Sequence, residues 1–286
     1  MAKRKANVGT SFGFGRHLLL AITTLLVLSP HSEASLVISI YNNNAVYLAS
    51  DSLLTPGLDE SKKINGPKIF MVSTNFCVTM TGLFGNPITN TNHTPSGLFT
   101  LSDKLKGFCD EEYPQAKPLG AKIMAICDNF QTAHKNYLEK LKSAGVSLSP
   151  DHQETVLYFA GYDSLQTNFA GVQYVFGTNM TSQGMFERGA NNFEAPIAIF
   201  GEADFLSAID STNNDLRLKE IRSKLPDTFM QMWDETPLSE KEMTDLILQL
   251  FQLHKTYAAS FIRDEGNIGE PYVIYKITKD RVGRIH

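Results

Sequence analysis

The sequence predicts an α+β protein made of two antiparallel sheets with helices on their outer faces. Three observations carry this reading. The 286 residues are 42% apolar and 20% charged, which fits a globular domain with a sizeable core and excludes a disordered, collagen-like or disulfide-dense chain. The predicted elements run strands, two helices, strands, helices, strands. No internal repeat, coiled coil, low-complexity tract or linker divides them, so one domain is expected.

The first 34 residues stand apart. Lys3, Arg4, Lys5 and Arg16 form a basic start, Leu18–Leu28 is a short apolar run, and Pro30 ends it before Ser32-Glu33-Ala34. This is the layout of a secretory signal peptide. The apolar run is shorter than the roughly 20 residues that a membrane span needs. Cleavage after Ala34 is therefore expected over anchoring, which leaves residues 35–286 as a single mature domain starting at Ser35. An exported product is implied, whether periplasmic, extracellular or in the secretory pathway. Losing Lys3, Arg4, Lys5, Arg16 and Glu33 takes 26 basic and 30 acidic residues to 22 and 29, a net charge of −7. A mildly acidic chain has no excess positive charge to neutralise phosphates, so nucleic acid is not an expected partner. No later apolar run approaches spanning length, so the mature chain is not expected to cross a membrane.

The mature chain opens with Leu36–Tyr41 as a strand, Asn42-Asn43-Asn44 as a turn and Ala45–Ser50 as the returning strand. Thr55–Gly66 reads as a loop. Lys68–Val72 and Phe76–Met80 form a second hairpin around Ser73-Thr74-Asn75, and Gly82–Gly97 reads as a loop. Leu98–Cys109 places Leu98, Leu101, Leu105 and Phe108 at helical spacing. Ala121–Leu141 does the same with Ile123, Ile126, Cys127, Phe130, His134, Tyr137 and Leu141. Strands resume at Thr155–Ala160, Phe169–Phe176 and Ile197–Phe200. Helices follow over roughly Ala203–Ile209 and Glu240–Ile262, and Tyr272–Ile277 and Arg281–Ile285 close the chain.

Three cysteines cannot close a disulfide framework. Cys109 and Cys127 fall on adjacent predicted helices. A disulfide between them with Cys77 left over and three buried thiols are both open readings. The five histidines of the mature chain (His93, His134, His152, His254 and His286) show no metal-ligand spacing. No phosphate-cradling loop or cofactor motif is present, so no cofactor is expected. Asn92-His-Thr94 and Asn179-Met-Thr181 fit the glycosylation sequon, which matters only in a eukaryotic secretory pathway.

The chemistry-bearing pattern lies at the mature N-terminus. Ser35-Leu-Val-Ile-Ser-Ile, a polar turn and Ala45-Val-Tyr-Leu-Ala-Ser-Asp51-Ser52 resemble the opening of proteasome-type β subunits, which are N-terminal nucleophile (Ntn) hydrolases. Members begin with Thr and reach an Ala-Asp-Ser segment, and here Asp51 follows Ser35 by sixteen residues, the family's spacing. Lys68-Ile69-Phe70 resembles the family's Lys-Ile strand start, one residue late, with Gly66-Pro67 as the site of insertion. Thr79-Met-Thr-Gly82 resembles the segment with the oxyanion glycine. Arg263-Asp264-Glu-Gly-Asn267-Ile-Gly269 resembles the Arg-Asp-x-x-Ser-Gly-Gly turn. By order of elements the resemblance covers nearly the whole mature chain; its specific part is the first fifty or so mature residues.

The resemblance implies a four-layer αββα sandwich and an amidohydrolase, in particular a relative of threonine-type peptidases acting on a peptide or other amide. It implies Ser35, Asp51, Lys68, Gly82, Asp264 and Asn267 as catalytic residues, and a homo-oligomer. The physical chemistry is consistent. A serine hydroxyl needs a base, and an N-terminal serine carries its own in the α-amine, whose ordinary pKa is about 7.7–8.0. A Lys68 ammonium would favour the neutral amine, Asp51 would hold that lysine, and the Gly82 N–H would face the oxyanion.

The sequence departs from the family pattern at several points. Leu53 stands where Arg is frequent, Glu202 where a serine would face the amine, Asn267 where the second supporting serine stands, and Ala34 where a self-processing glycine would precede the cut. Those changes motivate the alternative of a non-catalytic scaffold or binding protein with the same fold. Each residue also has an ordinary reading: Asp51 as a turn cap, Lys68 as a solvated strand end and Gly82 as a turn glycine.

Overall fold

The computed structural model describes residues 36–42, 44–54, 64–84, 100–111, 118–143, 154–164, 167–177, 180–188, 197–201, 205, 215–231, 238–261 and 269–286. Among the described residues twelve strands are numbered in chain order: β1 Leu36–Asn42, β2 Ala45–Asp51, β3 Leu53–Leu54, β4 Ile64–Asn65, β5 Ile69–Ser73, β6 Phe76–Gly82, β7 Thr155–Asp163, β8 Asn168–Gly177, β9 Met180–Arg188, β10 Ile197–Gly201, β11 Tyr272–Ile277 and β12 Val282–Arg284. The helices are α1 Thr100–Asp110, α2 Leu119–Ser143, α3 Leu216–Arg222, α4 Asp227–Gln231 and α5 Glu240–Phe261.

Two five-stranded antiparallel sheets form, in the orders β10-β1-β2-β11-β12 and β5-β6-β7-β8-β9. Period-2 alternation gives every strand two faces, and both faces are apolar here. In β1, Val37 and Tyr41 join Val46, Leu48, Ile69, Cys77, Tyr158, Ala160 and Phe169 in the layer between the sheets. The intervening Leu36, Ile38 and Ile40 pack with Tyr47, Ala49, Ile274 and the α5 residues Met243, Leu246, Ile247, Leu250 and Phe251. The second sheet turns Phe70, Val78, Met80, Leu157, Phe159 and Tyr174 outward onto α1 and α2. The layers are therefore helix, sheet, sheet, helix: the αββα sandwich expected from the sequence.

Local chemistry sets each turn and terminus. The Asn42 side-chain oxygen accepts from the Asn44 and Ala45 N–H groups at 2.9 and 2.8 Å, closing the β1–β2 hairpin. The α2 residues buried against the sheet are the seven expected from their spacing. Ser239 and Glu242 cap α5 reciprocally: the Ser239 N–H donates to Glu242 at 2.7 Å, and the Glu242 N–H donates to the Ser239 hydroxyl at 3.3 Å.

Some expectations change. Ile64–Asn65, read as loop, pairs with Leu53–Leu54. β9, α3 and α4 were not expected; β9 is a strand because it pairs along β8. The helix expected over Ala203–Ile209 lies outside the described residues except for Phe205. Cys77, Cys109 and Cys127 are all free buried thiols, so the structure carries no Cys109–Cys127 disulfide. His134 packs between Phe130 and Phe176, and His254 against Phe205, as core histidines.

Candidate active site

β2 is the central strand of its sheet, flanked by β1 and β11, which explains why its terminal Asp51 is enclosed. The β1–β2 register brings the start of β1 alongside Asp51, and on the other flank Tyr272 pairs with it. One Asp51 carboxylate oxygen accepts the Leu36 N–H at 3.0 Å. The other accepts the Lys68 ammonium at 2.9 Å.

Lys68 precedes β5, the edge strand of the opposite sheet, and its carbonyl accepts the Met80 N–H at 3.1 Å. The ion pair therefore ties the two sheets together at one end of the sandwich. Both side chains have 0% exposure, so Lys68 is not the solvated strand end that the sequence also allowed. Lysine is almost never fully buried unless paired. Its ammonium also lies 5.7 Å from the centroid of the Phe84 ring. The Phe84 carbonyl accepts the N–H groups of Leu101 and Ser102 at 3.1 and 3.3 Å, so the ring that faces Lys68 is anchored to the start of α1.

Gly82 ends β6 at φ +85°, a left-handed conformation. A Cβ at this position would lie 2.3 Å from the Glu154 carbonyl oxygen, so glycine is required on two grounds. The direction of its N–H follows from the ladder. Met80 donates to Lys68 on the β5 side, and Leu83 donates to Glu154 on the β7 side at 2.9 Å. Amide directions alternate along a strand, so the Gly82 N–H points with that of Met80, toward the side from which Lys68 comes.

The structure thus brings Asp51, Lys68 and Gly82 to one end of the sandwich, next to the start of β1. Ser35, Asp264 and Asn267 lie outside the described residues, as do Arg263 and Glu202. Two neighbours were not singled out in the sequence. Phe84 is one, and its only signal was an aromatic residue two positions after Gly82. Tyr272 is the other; it stacks on Phe251 at 4.3 Å and 11°. Burial pushes its phenol pKa up, with the Glu270 and Asp51 charges adding to the rise. Among the described residues no group of His, Cys, Asp and Glu side chains could hold a metal ion. No described helix is long and apolar enough to cross a membrane.

The fold is proteasome-like. No family model matches the chain, and no curated protein matches it in sequence. Among solved structures, the chain is similar to the helical assembly of the Anbu complex from Pseudomonas aeruginosa. The identity is 11% and the TM-score 0.50, over 87% of this chain and 86% of that one. It is also similar to Anbu (ancestral beta-subunit) from Yersinia bercovieri, at 12% identity and a TM-score of 0.47 over 87% and 86%. These findings correct the family reading of the sequence. Assignment to the proteasome β-subunit-like Ntn hydrolases is not supported, because no family model matches and the identity to the Pseudomonas aeruginosa structure is only 11%. What holds is the coarser relation, a shared proteasome-like fold.

Proposed function

We propose that the chain is an exported amidohydrolase, acting as a peptidase, whose nucleophile is the hydroxyl of Ser35 after removal of residues 1–34. The observation that supports this most is the enclosed Lys68–Asp51 pair bound to the amide of Leu36. A buried ion pair is a poor stabilising device, since desolvation offsets most of its attraction and apolar residues of the same volume do as well. Here the carboxylate of the pair holds the amide of the residue that follows Ser35. A fixed positive charge is thereby placed beside the proposed mature N-terminus.

The residues then divide the reaction as follows. The neutral Ser35 α-amine takes the hydroxyl proton as the oxygen attacks the amide carbonyl. Lys68 lowers the cost of the developing alkoxide and disfavours a charged amine, and Asp51 keeps Lys68 oriented. The Gly82 N–H donates to the oxyanion of the tetrahedral intermediate. Collapse breaks the C–N bond, the α-ammonium returns its proton to the leaving amine, and an ester to Ser35 remains. Water, deprotonated by the same amine, attacks that ester, releases the acid and restores the hydroxyl. Asp264 and Asn267 belong to the proposal as supporting polar groups. The departures at Leu53 and Glu202 bear on that supporting shell rather than on the lysine pair. We extend the proposal to a homo-oligomer; the helical assembly is a property of the Pseudomonas aeruginosa Anbu complex.

The test is N-terminal peptide mass spectrometry of the protein exported from its own cells, followed by treatment with a hydroxyl-directed acylating probe. The expected result is a free amine on Ser35 and an acyl adduct on that residue alone. A correctly processed chain that forms no adduct and cleaves no peptide amide would leave the non-catalytic scaffold in its place.

A further inference from the structure

We propose that Thr155 is a positioning residue whose hydroxyl fixes the direction of the Gly82 N–H, a role that rests on the reading of Gly82 as the oxyanion donor. Thr155 opens β7 and is fully buried. It stands opposite Gly82 in the β6–β7 register. Its hydroxyl does not face a ladder partner; it donates to the Leu83 carbonyl at 3.0 Å. The N–H of the same Leu83 donates to the Glu154 carbonyl at 2.9 Å. Leu83 is thus held at both of its main-chain polar groups by two consecutive residues at the start of β7.

This clamp falls where the backbone most needs one. Gly82 sits at φ +85°, where the absence of a side chain leaves the peptide free to rotate into several conformations of similar energy. Upstream the β6–β7 ladder holds Thr81 against Val156. Downstream the grip on Leu83 is the first restraint after Gly82, ahead of the Phe84 carbonyl that accepts from Leu101 and Ser102. An oxyanion donor acts through preorganisation, so a glycine amide that wanders loses most of its effect without any change in the donor itself. Thr155 is enclosed and Leu83 half-buried, so losing the bond removes its ordinary net strength rather than stranding a fully buried acceptor. Valine at this position would fill the same space and keep the β-branch but would release the Leu83 carbonyl, leaving its N–H on Glu154.

The experiment uses the processed full-length protein with Thr155→Val and Thr155→Ser. Hydrogen exchange is followed in the peptide covering 79–84, beside kcat and KM on a peptide amide. A hydrogen bond of ordinary net strength corresponds to a factor of up to about ten. For Thr155→Val, exchange in 79–84 is expected to rise by roughly that factor, with kcat falling about tenfold and KM holding within about twofold. A fall of this size stays below the ~10²–10³-fold loss on deleting an oxyanion donor. Thr155→Ser should restore both. The proposal is overturned if Thr155→Val leaves exchange in 79–84 unchanged. It is also overturned if exchange rises equally through β7 and β8, or if serine fails to rescue. Should the unaltered protein turn over no amide, the amidohydrolase reading fails, and local exchange alone then decides whether Thr155 holds Gly82.

Discussion

Lys68 and Asp51 meet at 2.9 Å with neither side chain exposed, so each charge is buried against the opposite one. Removing one partner takes from the other its buried counter-charge, a cost of about 3–5 kcal/mol. Lys68→Met and Asp51→Asn should each lose stability on that scale in denaturant unfolding. The double variant Lys68→Met with Asp51→Asn should regain most of it, because no charge is then stranded. Acyl labelling of Ser35 should fail in all three. Single variants as stable as the unaltered protein would show that water reaches the pair and that its enclosure is not functional. Gly82 is a second such residue. Gly82→Ala drives a Cβ to 2.3 Å from a main-chain oxygen and forces a left-handed alanine, so destabilisation of about 1–3 kcal/mol is expected together with loss of labelling. A crystal structure of Gly82→Ala with β6 undisturbed would remove glycine's special status.

The elements set how closely the sheets approach, and Gly171 of β8 marks a point of close approach. A Cβ there would lie 2.2 Å from the Tyr41 hydroxyl of one sheet and 2.4 Å from the Tyr158 hydroxyl of the other. These two phenols are hydrogen-bonded to each other across the interface. Gly171→Ala should break that bond or part the sheets, costing about 1–3 kcal/mol as overpacking does; unchanged thermal unfolding would refute this. By contrast, Leu250→Ala empties space under α5 without removing a polar group and should cost about 2–5 kcal/mol while Ser35 labelling persists at low temperature. The two hairpins that carry Asp51 and Lys68 were legible because their signals are local: alternating apolar runs closed by Asn42–Asn44 and by Ser73–Asn75. β9 was not, because Met180–Arg188 is polar, holds Gly184 and becomes a strand only by pairing with β8. The short α3 carries a side-chain cap from Asp215 but too few turns to show a period. In the candidate site, the resemblance to the family's opening segments pointed to Asp51, Lys68 and Gly82. The enclosure of Asp51 and Lys68 could not be read, because it is made by β11 and Phe84, which lie elsewhere in the chain from both. Thr155 read as an ordinary β-branched strand residue, since nothing in its own neighbourhood announces a bond to Leu83.

Across the whole molecule, enclosure also governs how stability responds to pH. Burial pushes the Cys77 thiol from 9.0 up to about 12 and the Cys109 thiol likewise to about 12, and it raises Cys127 as well. The Tyr137 phenol is pushed from 10.0 up to about 12 by the same cause. All four groups are neutral in the folded chain at pH 8, so thiol-specific reagents should label none of the cysteines until the protein unfolds. The sign of the linkage follows. Between about pH 9 and 12 the unfolded chain has released these protons while the folded chain still holds them. Fewer protons are then bound in the unfolded state, so stability falls as pH rises through that window and is unaffected by these groups below it. Chevron-free equilibrium unfolding in urea at steps from pH 7 to 11 should therefore show a flat region followed by a steepening loss above pH 9. Replacing Cys77 with Ala should make that loss shallower by removing one of the four groups, at the cost of a small cavity between the sheets. A stability that stays flat to pH 11, or thiols that react at pH 8 in the folded protein, would mean that the core between the sheets and under α1 and α2 is open to water.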